Sequence, residues 1–256
     1  MQPAPAPPDW LNTVTELPRA GREASRLAWG RQALLRGLPR GDGHPILTLP
    51  AYATGDAGLV PLRRFLRALG YATPTSGLGT NLDRGELRIR RIEDAARFRA
   101  VQSKRVAERV ERLAETLGET ISLVGWSMGG LFAFDAAQRV PAAVRGVVTL
   151  GSPFGDPRGT AMWNWMRRLS GSDVPVEEQD FSTWLAPCPR PTQADRVPTT
   201  IVYSPRDGIV GAEVARMQGI RADDDWLQYR EVDSSHLGFT VNPEVFRTLA
   251  EVLAHH

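Results

Sequence analysis

The sequence predicts an α/β fold, with a mostly parallel sheet of about six strands flanked by helices. Three observations support this. Short, largely apolar runs (Ile46 to Leu49, Ile121 to Val124, Val144 to Leu150, Thr199 to Tyr203) have the length and composition of strands buried on both faces, and Trp226 to Val232 reads as a last strand. Segments of helical period separate them, and such alternation sets successive strands parallel. At 256 residues, 42% apolar and 23% charged, the chain can bury the core of one such domain without needing a second.

Met1 to Pro8 is Pro/Ala-rich and expected to be disordered or extended, without the charged start and apolar centre of a secretory signal. Trp10, Val14 and Leu17 follow at helical spacing, Pro18 interrupts, and Ala24, Leu27, Ala28, Leu34, Leu35 and Leu38 continue. Residues 1–40 are therefore expected to form an N-terminal helical arm on a main domain of residues 41–256. One reading makes the arm an amphipathic segment touching a membrane surface or a partner. The other, favoured because the stripe is diluted by Ala and broken by Pro, packs it on the sheet with its Arg side chains in water. After the turn Arg40 to His44 come the strand Ile46–Leu49 and a small-residue loop, 51–58. A helix from Leu59 to Leu69 tolerates Pro61 in its first turn and is closed by Gly70. Tyr71 to Thr75 is expected to add a short sixth strand. Ile92 to Leu117 reads as one long helix with Val106, Val110, Leu113 and Leu117 on one face and Gly118 ending it. Past Val144–Leu150 the rhythm breaks: residues 155–198 are Pro-rich and aromatic and read as a lid or cap insertion. Two more strands and a closing helix, Val241 to Ala254, complete the chain.

The net charge is only +2, residues 1–40 carrying about +3 and the remainder about −1, so no broad basic face suggests nucleic acid. The single cysteine, Cys188, excludes an internal disulfide and fits a reducing compartment. It lies between two prolines with no strand-to-helix turn, which argues against a nucleophile. No apolar run reaches membrane-spanning length, and a cytoplasmic location is expected. There is no Walker-type loop and no Cys/His cluster of metal spacing. Gly77-x-Gly79 lacks the strand-to-helix setting of a dinucleotide site, and Asp223-Asp224-Asp225 reads as a solvated turn. No cofactor and no metal are expected.

Chemistry concentrates at Gly125-Trp126-Ser127-Met128-Gly129, a G-x-S-x-G pattern between an apolar strand and an immediate helix, Met128 to Gln138. Roughly 0.1 chance matches are expected in a chain of this composition, so the flanking elements give the match its weight. So sharp a turn strains the serine backbone and holds its hydroxyl at a helix N-terminus, where N–H groups favour negative charge. A serine nucleophile needs a base, and the base an orienting group. His44 precedes a strand, at the sheet edge opposite Ser127, and His255 and His256 are terminal. His236, just past the last strand, shares the edge where strands of a parallel sheet end. Asp207, four residues after Thr199–Tyr203, is the leading acid, with Asp156 and Asp233 as competitors. Pro205-Arg206-Asp207-Gly208 is also a good turn sequence in its own right. An oxyanion needs two N–H donors. Met128 supplies one, and the loop after Ile46–Leu49 is expected to supply the other.

Gly125 to Gly130, Gly151-Ser-Pro-Phe154, Tyr203 to Val210 and Ser235 to Phe239 together resemble the α/β-hydrolase superfamily, on its lipase/esterase-like side, over residues 45–254. The resemblance implies an α/β-hydrolase fold and a Ser127–Asp207–His236 triad cleaving carboxylic esters through an acyl-enzyme. Relatives usually carry His-Gly before the second oxyanion donor. Pro50-Ala51 stands there in this chain, which points to Tyr52, or alternatively Ala51. The slot of residues 155–198 is where relatives carry a lid. Met162 and Met166 with Trp163 and Trp165, and Trp126 beside the serine, are expected to line an acyl pocket; an ordinary helix burying its stripe on the sheet is the competing reading. Acyltransferase, thioesterase or lipid amidase chemistry fits the same scaffold, as does a non-catalytic binding protein. The expected partner is a small-molecule or lipid ester.

Overall fold

The computed structural model describes residues 4–82, 88–163, 180–185, 196–217 and 225–256. Five parallel strands, β1 (Ile46–Leu49), β2 (Ile121–Trp126), β3 (Val144–Leu150), β4 (Thr199–Tyr203) and β5 (Leu227–Glu231), lie side by side in chain order. Among the described residues, six helices of five or more residues accompany them: α1 (Trp10–Val14), α2 (Glu16–Arg36), α3 (Val60–Leu69), α4 (Ile92–Leu117), α5 (Met128–Arg139) and α6 (Pro243–Leu253).

The sheet separates two layers, because successive side chains of a strand face opposite ways. Leu47, Leu49, Ile121, Leu123 and Val147 point to the layer of α4 and α5. Ile46, Val124, Trp126, Val148, Leu150 and Val202 point to the layer of α3 and α6, which Leu34 of α2 joins. The central strands have no exposed face, which is why they read as apolar runs rather than alternations. β5 lies at the edge and exposes Arg230 and Glu231, charges that discourage pairing with another chain.

α4 and α5 are joined by a buried fork. Arg99 Nε and Nη2 each donate to Asp135 at 2.7 Å, and Ser103 Oγ donates to the same carboxylate at 3.1 Å. Removing one member leaves the other charge buried without its counter-ion, so Asp135→Ala should cost about 3–5 kcal/mol. Urea titration checks this, through a lowered midpoint at unchanged slope.

Three expectations are corrected. Among the described residues the sheet has five strands and not six, since Tyr71 to Thr75 contributes a single bridge, Ala72 to Pro45. Ile46 N–H reaches Ala72 O at 2.8 Å, but Pro74 lacks an N–H to carry a ladder further. Pro18 does not break the N-terminal helix; it sits in the first turn of α2, where a missing N–H is tolerated, and the break falls at Thr15. Nor does α2 pack on the sheet, although Arg22, Arg26, Arg31 and Arg36 do face water as expected. It lies on α6 and on the turn Leu237–Thr240, burying Glu16, Arg19 and Glu23, while Trp10, Val14 and Leu17 are 69%, 63% and 74% exposed.

Candidate active site

The turn between β2 and α5 takes a single residue. Ser127 has φ 53° and ψ −124°, a conformation that residues with a Cβ rarely adopt. Its neighbours have to be small. A Cβ on Gly125 would lie 2.4 Å from Gly129 O, and one on Gly129 would lie 2.4 Å from Leu49 O. α5 therefore starts against the ends of both β1 and β2. The Ser127 hydroxyl is not spent capping that helix.

Asp207 and His236 meet from the loops after β4 and β5. Asp207 Oδ1 accepts from the Ile209 and Val210 amides, each at 2.8 Å, which leaves Oδ2 for His236 Nδ1 at 2.7 Å. A carboxylate only accepts, so Nδ1 carries the imidazole proton and Nε2 is left as a base. Gly151 makes the space: at φ 56° it has no Cβ, and one would come within 2.9 Å of Asp207 Oδ2. Asp207 and His236 are 1% and 2% exposed. Burial pulls the imidazole pKa down, but the Asp207 charge, its hydrogen bond and the Glu16 charge outweigh this and hold it above the ordinary 6.5. Trp126 Nε1 donates to His236 O at 3.1 Å, fixing the loop from the strand that carries Ser127.

The two competing acids are engaged elsewhere. Asp156 pairs with Arg158 and caps the turn Pro157–Gly159, and Asp233 pairs with Arg206 at the surface. His44 lies at the opposite sheet edge, on Asp42 and on Ser122 Oγ at 2.9 Å.

Ser127 and His236 both line one cavity of about 120 Å³, with Asp207 behind the imidazole. Tyr52, Trp126, Met128, Met162 and Trp163 line it too, and among the described residues no Asp, Glu, Lys or Arg does. Trp165 and Met166, like Cys188 and most of 155–198, lie outside the described residues. The loop carrying Ala51 and Tyr52 is clamped by buried Asn81, whose Nδ2 donates to Pro50 O and whose backbone O accepts from Ala53 N–H at 2.7 Å. A hydroxyl at a helix start, a neutral base oriented by a buried carboxylate, and an apolar cavity shared by both suit acyl transfer to serine.

Sequence reading missed Asn81, and it missed Glu16 and Glu23, whose carboxylates accept from backbone amides on both sides of the Asp207–His236 pair. Glu16, Arg19 and Glu23 do fall on one helical face, which was the available signal.

No curated protein matches the chain. Among solved structures it resembles a Thermus thermophilus protein (TM-score 0.59, 16% identity, covering 85% of this chain and 90% of that one). It also resembles a lipase of Bacillus licheniformis in its mature form (0.58, 14%, 85% and 94%) and a monoacylglycerol lipase of Paleococcus ferrophilus (0.54, 15%, 85% and 96%). At these identities the likeness is one of fold. A family model of the α/β-hydrolase fold matches residues 66–207, more than half of the sequence. The chain belongs to the α/β-hydrolase fold family.

Proposed function

We propose that the protein is a serine hydrolase of uncharged carboxylic esters. The observation that carries this reading is the buried Asp207–His236 pair set behind a cavity that the strained Ser127 also lines. Ser127 Oγ attacks the ester carbonyl while His236 Nε2 takes its proton. Asp207 holds the tautomer and stabilises the imidazolium. The oxyanion is received by the Met128 amide, an orphan donor of the first turn of α5, and by a donor of the Asn81-clamped loop, Tyr52 N–H or alternatively Ala51 N–H. Collapse of the tetrahedral intermediate breaks the bond to the alkoxide, which leaves with the proton from His236. Water, activated by the same imidazole, then attacks the acyl-enzyme, and its collapse returns Ser127 and releases the acid.

The lipase names among the structural neighbours agree with this reading. Fluorophosphonate tests it: the reagent should modify the protein at Ser127, located by peptide mass, and short p-nitrophenyl esters should be turned over. Wild-type protein that does neither is a non-catalytic member of the fold.

The lining also selects substrate. The described lining offers no charged partner, so a substrate carboxylate held against it would be desolvated without compensation. The kcat/KM for a butyrate ester should therefore exceed that for the matching succinate half-ester by about 100-fold, of the order of the 1–3 kcal/mol cost of an unpaired polar group. Equal rates for the two would refute the apolar-site assignment.

A further inference from the structure

On the hydrolase reading, we propose that Glu16 is a positioning residue of the site: from the N-terminal end of α2, its carboxylate ties the Asp207 loop to the His236 loop and adds a second negative charge behind the imidazole. Glu16 Oε1 accepts from Gly208 N–H at 2.8 Å and from His236 N–H at 3.1 Å, and Oε2 accepts from Leu237 N–H at 3.2 Å. One side chain thus holds the residue after the acid, the histidine itself and the residue after it. Glu23, two turns along α2, repeats the arrangement one residue earlier, accepting from Ser235 N–H at 2.9 Å and Ser235 Oγ at 2.7 Å.

Two glycines let the N-terminal segment approach these loops. A Cβ on Gly208 would stand 2.4 Å from the Asn12 backbone, just before α2, and one on Gly238 would overlap Glu23 Oε2. Glu16 and Glu23 are 5% and 9% exposed. Burying two carboxylates to cap a surface loop would be costly compared with leaving them in water, and apolar side chains would pack α2 equally well. The charge therefore has a purpose that packing does not supply. When His236 takes the serine proton, the imidazolium has Asp207 on Nδ1 and Glu16 beneath its backbone.

Among the described residues, other charged groups on the elements around the imidazole are Arg19, Glu23, Arg206 and Asp233. Arg19 Nη2 pairs with Glu16 at 3.0 Å and its Nη1 donates to Arg206 O, so it moderates the Glu16 field without cancelling it. Glu23 has its own pKa raised by burial and sits on the Ser235 side. Arg206 and Asp233 pair with each other in solvent. The raised imidazole pKa has Asp207 and Glu16 as its causes, opposed by burial.

The test reads His236 directly by NMR titration of the imidazole carbons, assigned by the signal lost in His236→Asn. In the wild type it should titrate above 6.5. In Glu16→Gln, close to isosteric but neutral, it should titrate lower than in the wild type, and the acid limb of kcat/KM should move with it while the plateau falls about tenfold. Glu23→Gln should leave the titration within about 0.2 units of wild type. An unchanged His236 titration in folded Glu16→Gln overturns the proposal. If Glu16→Gln does not fold, Arg19→Met decides: removing the moderating cation should raise the His236 value, and an unchanged or lower value overturns the proposal. Because the titration needs no substrate, a wild type without esterase activity would defeat the hydrolase reading and still leave this measurement decisive.

Discussion

Ser127→Ala should lower kcat on short p-nitrophenyl esters by about 10⁶-fold and abolish fluorophosphonate labelling, with binding of an unreactive ester analogue nearly unchanged. The magnitude follows from how triads fail: without the nucleophile the remaining members contribute almost nothing further, and only the oxyanion donors and the pocket still act. The fold should survive, because the Ser127 bond to Leu150 O, at 2.8 Å, is made by the backbone N–H. A companion variant separates the hydroxyl from the turn. Alanine keeps a Cβ at φ 53° and so keeps the strain, whereas glycine relieves it. Ser127→Gly should be as inactive as Ser127→Ala but more stable by about 1 kcal/mol in urea titration. A Ser127→Ala protein retaining more than a hundredth of the activity would place the nucleophile elsewhere.

The Ser127 turn could be read from sequence because its causes are local. An apolar strand, a one-residue turn and an immediate helix are adjacent in the chain, and Gly125 and Gly129 are needed for contacts within a few residues or with the neighbouring strand end. His236 and Asp207 were reachable by a topological argument, since every loop after a parallel strand lies on one edge. The sixth strand failed on a detail visible only in the ladder: Tyr71 to Thr75 has strand composition, but Pro74 withholds the donor that would extend the bridge at Ala72. Glu16 and Glu23 were hidden for a different reason. A glutamate on a helix reads as solvated, and the partners that hold these two lie in distant loops: Gly208 N–H and Glu16 Oε1 meet across 192 positions, and the missing side chain of Gly238 leaves the space that Glu23 Oε2 fills. Sequence gave α2 an amphipathic pattern, but its deepest face toward the site is charged.

Asp207→Asn should reduce kcat by about 10⁴-fold, through the tautomer rather than through loss of structure. The Ile209 and Val210 amides both donate to Oδ1, so the asparagine oxygen must take that position to keep the two bonds. Its NH₂ group then occupies the Oδ2 position, 2.7 Å from His236 Nδ1, and donates where Asp207 accepted. His236 responds by carrying its proton on Nε2, where it can no longer receive one from Ser127. The pH dependence carries a second signature. In the wild type the imidazole pKa is raised, so its protonation contributes stability that is fully present below the unfolded value of about 6.5 and is lost as pH rises through the folded value. Removing the Asp207 charge removes that contribution, and Asp207→Asn should be destabilised more at pH 6 than at pH 9, when each is compared with wild type at the same pH. Residual activity should show its acid limb at lower pH than the wild type, because a histidine without its counter-ion is neutral sooner. Equal destabilisation at both pH values, with an unmoved acid limb, would mean that the carboxylate serves the loop and not the imidazole.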